Sequence, residues 1–309
     1  MSLSSDNFTA LIHLRDQARK WKNITFVTII IALIIVIKFS FIPAANEDDN
    51  LSANEKYIAV VDVDGIIFED KYRTKILKDI KDKDNIKAVI LNINSPGGSI
   101  VGSEILYNNI LEISKKKPVI AVLGSLAASG GYMAALGSDH IIAHNGSLTG
   151  SVGVIMQSTE VTQMADKLGI KFLNYKSSHL KGAPSPFEKT DPAIDKVINE
   201  SVQDSYKFFS DLVLERRKGK IDTKNLKTII DGRIFTGRQA LKAGLIDQVG
   251  TEDDALTYLE KNYKITKLPT KDVSLKKSDN KFFEKILNGA SVDNILSGNF
   301  ANKKLMAIW

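Results

Sequence analysis

From residue 56 onward the apolar positions fall into two alternating patterns. Short, nearly unbroken runs rich in β-branched residues, Lys56–Val63, Ile86–Ile93, Pro118–Leu123 and Asp139–Ala143, read as strands. Between them, apolar residues recur every three or four positions. Tyr72, Ile76, Leu77 and Ile80 define a helix over 72–83, and Ile100–Ser114 reads as a second. The third run leads into a small-residue turn, Gly124–Tyr132, and a helix to about Gly137, while Gly150–Met156 reads as a glycine turn and a short strand. Strands and helices taken in turn predict an α/β domain on a largely parallel sheet.

Further along, Asp191-Pro192 is a helix start, with Asp as N-cap and Pro at the first helical position. Ile194, Val197, Ile198, Val202, Phe209, Leu212 and Val213 then form one apolar stripe to about Arg217, a core or subunit-interface face. Arg238–Gly244 reads as a short helix closed by its glycine. Past Tyr263 the pattern decays into a Lys-containing tail ending in the apolar Leu305–Trp309.

The N-terminal pattern is different. Ile24–Ile37 is unbroken apolar residues and threonines, and Phe39–Ile42 extends it beyond Lys38. A membrane-spanning helix needs roughly 20 mostly apolar residues, and Lys38 is near enough to the end to snorkel. Arg15, Arg19, Lys20 and Lys22 precede the run, which places the N-terminus in the cytoplasm. The expectation is a cytoplasmic segment 1–23, a single-pass membrane anchor 24–42, an acidic linker 43–55 and a body on the far side of the membrane. A cleaved signal peptide fits less well, because Pro43 falls three residues before a cut after Ala45.

Composition narrows the chemistry. There is no cysteine, which removes disulfides, a thiol nucleophile and thiolate metal sites. The four histidines, His13, His140, His144 and His179, limit any Ser-His or His-metal scheme. The net charge is +6, but no basic stripe with interleaved aromatics accompanies it, which argues against a nucleic-acid partner. No metal or other cofactor is expected.

Ser129 stands on the small-residue turn between a strand and a helix, followed by Gly130 and Gly131. Free N–H groups at a helix start can hold an oxyanion, so this arrangement presents a nucleophile. Tight helix-on-sheet packing explains such a run equally well. A second glycine turn, Ser95–Gly98, leaves another buried strand of the same sheet, and if both exit at the carboxyl ends of parallel strands the two would face one crevice. Gly97 or Gly98 would then supply one oxyanion N–H and Gly130 another. For the base, His140 and His144 are nearest in sequence but have no matching carboxylate. Lys181 is flanked by small and apolar residues, and a lysine base must be desolvated to be neutral.

Five motifs occur in order: Asn94–Ser99, Ala127–Tyr132, Leu148–Val154, Phe235–Leu241, and Gly244–Asp247 with Gly250. Together they resemble the signal peptide peptidase A family of membrane-anchored serine proteases in its short, single-unit form, over about Lys56–Leu259. The resemblance implies a crotonase/Clp-protease-like α/β fold of repeated β-β-α units behind one transmembrane helix, with a peptidase domain over 56–262 and a tail over 263–309. It implies Ser129 as nucleophile, Lys181 as general base and Ser151 as the residue that hydrogen-bonds that lysine, with Lys176 and Lys189 as rival bases. It also implies a ring-shaped homo-octamer in which Lys181 reaches a neighbour's Ser129. The substrates would be cleaved signal peptides and other apolar peptides at the membrane. Two competing readings are an acyl-CoA hydratase-like enzyme on the same fold and a catalytically silent scaffold that binds apolar peptide tails.

Overall fold

The computed structural model describes residues 15, 17, 19–31, 55–221 and 223–276. The chain divides into two units between Glu55 and Lys56. In the first, α1 (residues 19–31) exposes Trp21, Ile24, Phe26 and Ile29. The hydroxyls of Thr25 and Thr28 donate to the carbonyls of Trp21 and Ile24, so neither threonine leaves a free donor on this apolar surface. Among the described residues no helix is long and apolar enough to cross a membrane, and positions 32–42 of the expected anchor lie outside them.

The second unit is built on one sheet. Its strands are β1 (Tyr57–Asp64), β2 (Ile86–Ser95), β3 (Val119–Ala128), β4 (His140–Ala143), β5 (Leu148–Gly150), β6 (Ile234–Thr236), β7 (Gln248–Val249) and β8 (Thr270–Asp272). The path across it runs β6-β5-β3-β2-β1-β8, while β4 also pairs with β3 and carries β7. Every pair is parallel except β5–β6. The helices are α2 (Lys71–Asp82), α3 (Ile100–Ser114), α4 (Gly130–Ala135), α5 (Thr162–Lys167), α6 (Pro192–Arg216), α7 (Leu226–Ile229), α8 (Gly237–Ala243) and α9 (Glu252–Tyr263).

The alternation along β1 shows why its run is continuously apolar. Ala59, Val61 and Val63 join a core with Leu77 of α2 and Leu106 and Ile110 of α3. Ile58 and Val60 face a smaller core with Ala255 and Leu259 of α9. A parallel sheet covered on both faces needs apolar residues at both parities.

β3 forks the sheet. Ile120–Leu123 pairs with β4, and Leu126–Ala128 pairs with β5. Between the halves, β2 advances from Ile93 to Ser95 while β3 advances from Leu123 to Ala127, so β3 carries two extra residues. The bulge is stitched by Asn94, whose Oδ1 accepts the Leu126 N–H at 3.2 Å. The sequence pattern ended this strand at Leu123, because Gly124 reads as a turn. The small residues that follow instead continue the strand, now paired with β5, and deliver Ser129 at its carboxyl end. Between β1 and α2, and between β2 and α3, the chain passes through Ile67 and Gly98, which form an isolated parallel bridge with each other.

Two other expectations shift. Past Gly150 the expected strand to Met156 is absent, and the paired residues are Leu148–Gly150 just before it. The sheet also continues past residue 262. The Ile58 N–H donates to Pro269 O at 2.9 Å, the Val273 N–H donates to Val60 O at 2.8 Å, and Leu275 is buried. β8 is polar in sequence because it is an edge strand, so its pattern did not stand out. Leu305–Trp309 lies outside the described residues.

A buried ionic knot holds the site's supports together. The Tyr132 hydroxyl of α4 donates to Leu245 O at 2.7 Å, beside the α8 cap Gly244 (φ 77°). Arg217 donates from Nε to Gly244 O at 2.8 Å and from Nη1 to Asp247 at 2.9 Å. Lys220 and the Ile141 N–H also donate to Asp247. Burial pushes the Asp247 carboxyl up, but Arg217, Lys220 and Ile141 together outweigh it and bring it down to about 2. A folded-state value below the unfolded one stabilises the protein above about pH 4 and is lost as pH falls toward 2, up to about 2 kcal/mol. Urea unfolding at pH 5 and pH 2.5 is expected to show that loss in the wild type. Asp247→Asn should be less stable at pH 5 and lack this part of the acid step.

Candidate active site

Ser129 is the last residue before α4, with φ 53° and ψ −120°. These are the angles of the first central residue of a type II′ turn, where glycine is favoured, and holding a serine there costs about 1–3 kcal/mol. The turn is pinned from both sides. The Ser129 N–H donates to Gly150 O at 2.9 Å, and the Ser129 carbonyl accepts the Met133 N–H. The Ser129 hydroxyl caps no N–H of the helix it precedes, so it is not engaged as a structural cap.

The glycine turn after β2 lies directly against this elbow. Gly97 has φ 98°, and a Cβ there would fall 2.6 Å from Gly130 N and 3.0 Å from Ser129 Cβ. A Cβ on Gly130 would fall 2.0 Å from Ser103 Oγ, so α3 and α4 touch through small residues. The Gly97 N–H donates to the fully buried Ser95 Oγ at 3.0 Å. The Gly97 carbonyl accepts the Ile67 N–H, and the Ile67 carbonyl accepts the Ser99 N–H. That pairing turns the Gly98 N–H away from Ile67, and among the described residues it has no acceptor. The Gly130 N–H, first in its helix, likewise has none. Of the three glycines singled out in sequence, Gly98 and Gly130 therefore keep N–H groups available to an oxyanion. Both line a cavity of about 20 Å³ together with Ser129.

Ser151 emerges beside Ser129. Ala128 pairs with Gly150, and each serine is the next residue along its strand. Ser151 also has positive φ, 52°, and its N–H donates to Arg233 O at 2.8 Å. Lys181 is in a different place. It is exposed in the loop between α5 and α6 and does not line the Ser129 cavity. Of its rivals, Lys176 is ion-paired with Glu188, and Lys189 lines a separate groove against the start of α6.

No described histidine is near the serine. His140 pairs with Ile120 at the far end of β3, roughly 25 Å from Ser129 along the sheet. Burial pushes it toward its neutral form, and its ring stacks on Tyr258 with centroids 3.8 Å apart. His144 opens into a crevice with Asp64, Asn92 and Glu252, apart from the Ser129 cavity. His179 contacts Asp191, the α6 N-cap, at 2.5 Å. Among the described residues no group of three or more His, Asp or Glu side chains converges as a metal site.

Sequence reasoning missed the roles of Ser95, Asn94 and the apolar walls Ile100, Met133, Val154 and Phe209. The first two were visible inside the motif Asn94–Ser99. The walls come from four separate segments and leave no local signal. The motif at Phe235–Leu241 is scaffold: Thr236 and Gln239 form a capping box for α8, and Gly237 admits the His144 carbonyl.

Residues 112–266 match Peptidase family S49. A Methanocaldococcus jannaschii protein named as a protease is 37% identical over 211 residues, 67% of this chain and 67% of that protein. An Enterococcus faecium protein named for signal peptide peptidase SppA is 39% identical over 62% of this chain and 55% of its own length. The Arabidopsis thaliana chloroplastic serine protease SPPA is 32% identical over 56% of this chain and 26% of its own length. The chain thus spans about half or less of these last two. Among solved structures, a membrane-bound stomatin-specific protease aligns with TM-score 0.45 and 20% identity, covering 71% of this chain and 98% of that one.

Proposed function

Because the chain belongs to peptidase family S49, among the relatives of signal peptide peptidase A, we propose that it is a serine endopeptidase of apolar peptides working by a Ser-Lys dyad. The observation that carries this is the strained Ser129 elbow with two free N–H groups, Gly98 and Gly130, on one small cavity. Ser129 Oγ attacks the peptide carbonyl as unprotonated Lys181 Nζ takes its proton. The carbonyl oxygen gathers negative charge between the two N–H groups. The protonated lysine then gives its proton to the departing amine, leaving an acyl-Ser129 ester that water hydrolyses by the same relay. Ser151, one strand over, orients the lysine.

Lys181 comes, in this reading, from a neighbouring copy in a ring, an octamer. Its exposure, and its absence from the cavity of its own chain, support that assignment. So does the apolar surface between residues 155 and 187, where Ile155, Leu173 and Tyr175 are 81%, 74% and 94% exposed and call for a cover. The anchor over 24–42 would hold the ring at the periplasmic face of the inner membrane, with remnant signal peptides as substrates. The apolar, internally bonded α1 supports it. The test is a fluorophosphonate probe on the full chain in detergent, read by peptide mass spectrometry. The proposal expects one adduct, on Ser129, blocked by an excess of apolar peptide. Labelling elsewhere, or none in a preparation that cleaves peptides, would overturn it.

A further inference from the structure

We propose that Arg216 is a positioning residue for the catalytic elbow. By gripping the carbonyl end of α4, it holds Ser129 and the Gly130 N–H, at the other end of that helix, in the geometry the reaction needs. This rests on Ser129 being the nucleophile. Helix α4 has only six residues, Gly130–Ala135, too few to be stable alone. Its first residue offers an oxyanion N–H, and the residue before it is the strained serine. Strain of that kind persists only where the surroundings over-determine the backbone. At the amino end the Ser129 N–H donates to Gly150 O, and in the middle the Tyr132 hydroxyl donates to Leu245 O. At the carbonyl end Arg216 donates from Nε to Leu136 O at 2.7 Å and from Nη2 to Ser138 O at 3.1 Å.

Arg216 completes a clamp along α4 that is built by α6. Ser205 and Phe209 of α6 line the Ser129 cavity, at the start of α4, and Phe209 is buried in the main core. Arg216 follows Phe209 by seven positions, on the same helix face and about 10 Å further along the axis. The six residues of α4 span about 9 Å, so α6 reaches both of its ends. On the α3 side there is no slack, because a Cβ on Gly137 would fall 2.8 Å from Tyr107 O. A guanidinium suits the position. Its planar fork meets two carbonyls at once, and its charge lies at the negative end of the helix dipole. That charge also reaches Asp139, whose carboxylate accepts the Val119 N–H at 2.8 Å. Arg217 is committed elsewhere, to Gly244 O and Asp247. Without the Arg216 fork the last turn of α4 loses its outer partner, and the elbow can release its strain by moving the helix. A shift of about 1 Å at the reacting atoms costs about a hundredfold in rate. In sequence Arg216 stands at the end of the α6 stripe, with nothing to join it to Ser129.

The experiment uses the full chain in detergent: wild type, Arg216→Ala, Arg216→Lys and, as a control at the same helix end, Lys218→Ala, whose side chain is exposed. It reads kcat and KM on an apolar peptide, and the rate constant with which excess fluorophosphonate labels Ser129. The rate constant reports how fast each folded site reacts, not how many sites are folded, so a poorly folding variant still reports. Arg216→Ala is expected to lower kcat and the labelling rate constant together, by roughly ten- to a hundredfold, with KM within about twofold of wild type. Arg216→Lys should fall between, since an ammonium can meet one carbonyl but not both. Millimolar free guanidinium should raise the rate constant of Arg216→Ala and leave wild type and Lys218→Ala unchanged, because it refills the space between Leu136 O and Ser138 O. A purely structural arginine would lower the labelled fraction and the urea midpoint but not the rate constant. An Arg216→Ala rate constant within about twofold of wild type therefore overturns the proposal, however unstable the variant is. So does a lowered rate constant that neither lysine nor guanidinium raises. Wild type that cleaves no peptide and leaves Ser129 unlabelled is a separate outcome, which removes the peptidase reading and this one with it.

Discussion

Ser129→Ala is expected to lower peptide hydrolysis by roughly four to six orders of magnitude, the loss seen when a serine hydrolase forfeits its nucleophile. The fold should survive. The Ser129 N–H bond to Gly150 O and the Met133 bond to the Ser129 carbonyl are made by backbone atoms that alanine retains. The hydroxyl caps nothing, so its removal strands no partner. Alanine inherits the same positive φ and hence the same strain. Ser129→Gly separates the two properties: it should be equally inactive yet more stable than wild type, by about 1 kcal/mol, because glycine adopts φ 53° without penalty. Activity and urea denaturation measured on the same three proteins test both. Several per cent of activity left in purified Ser129→Ala would remove Ser129 as nucleophile. A Ser129→Gly protein less stable than wild type would mean that the elbow is not strained by its side chain.

The legible part of this molecule is the part where one segment carries its own signal. β1, β2, α3 and the capped start of α6 read correctly, because apolar periodicity and the Asp191-Pro192 pair are local. The fork in β3 was hidden. Gly124 looks like the end of a strand, and only the pairing of Leu126–Ala128 with β5 shows that the chain bends and goes on. The short strands β6, β7 and β8 are two or three residues long and owe their conformation to partners far away in sequence. The same division applies to the site. Ser129, Gly98 and Gly130 sit in readable turns. The cavity they share is closed by α6, about eighty residues downstream, and no spacing rule joins Phe209 to Ser129. Lys181 is legible only by resemblance, since its own loop gives a lysine among small and apolar residues and nothing more.

Lys181→Ala is expected to be as inactive as Ser129→Ala, while Lys176→Ala and Lys189→Ala keep most activity. Lys176 is held by Glu188, and Lys189 faces the groove by α6. An essential Lys176 and a dispensable Lys181 would mean that the loop register is misassigned. The sharper test asks whose lysine serves which serine. If each site joins Ser129 of one protomer to Lys181 of the next, contacts around the ring are head-to-tail. Random 1:1 mixing of Ser129→Ala with Lys181→Ala then rebuilds a complete pair at roughly one interface in four. Activity should recover to about a quarter of wild type from two dead proteins. A dyad closed within one chain recovers nothing under the same exchange. The reciprocal mixture is equally decisive. In a 1:1 mixture of wild type with the Ser129→Ala/Lys181→Ala double variant, about a quarter of all sites should be active if they are shared, and about half if each chain is self-sufficient. Mixed rings proven by native mass spectrometry, with no recovery in the first mixture and half activity in the second, would place Lys181 and Ser129 of one chain in one site, against its exposed position in the loop between α5 and α6.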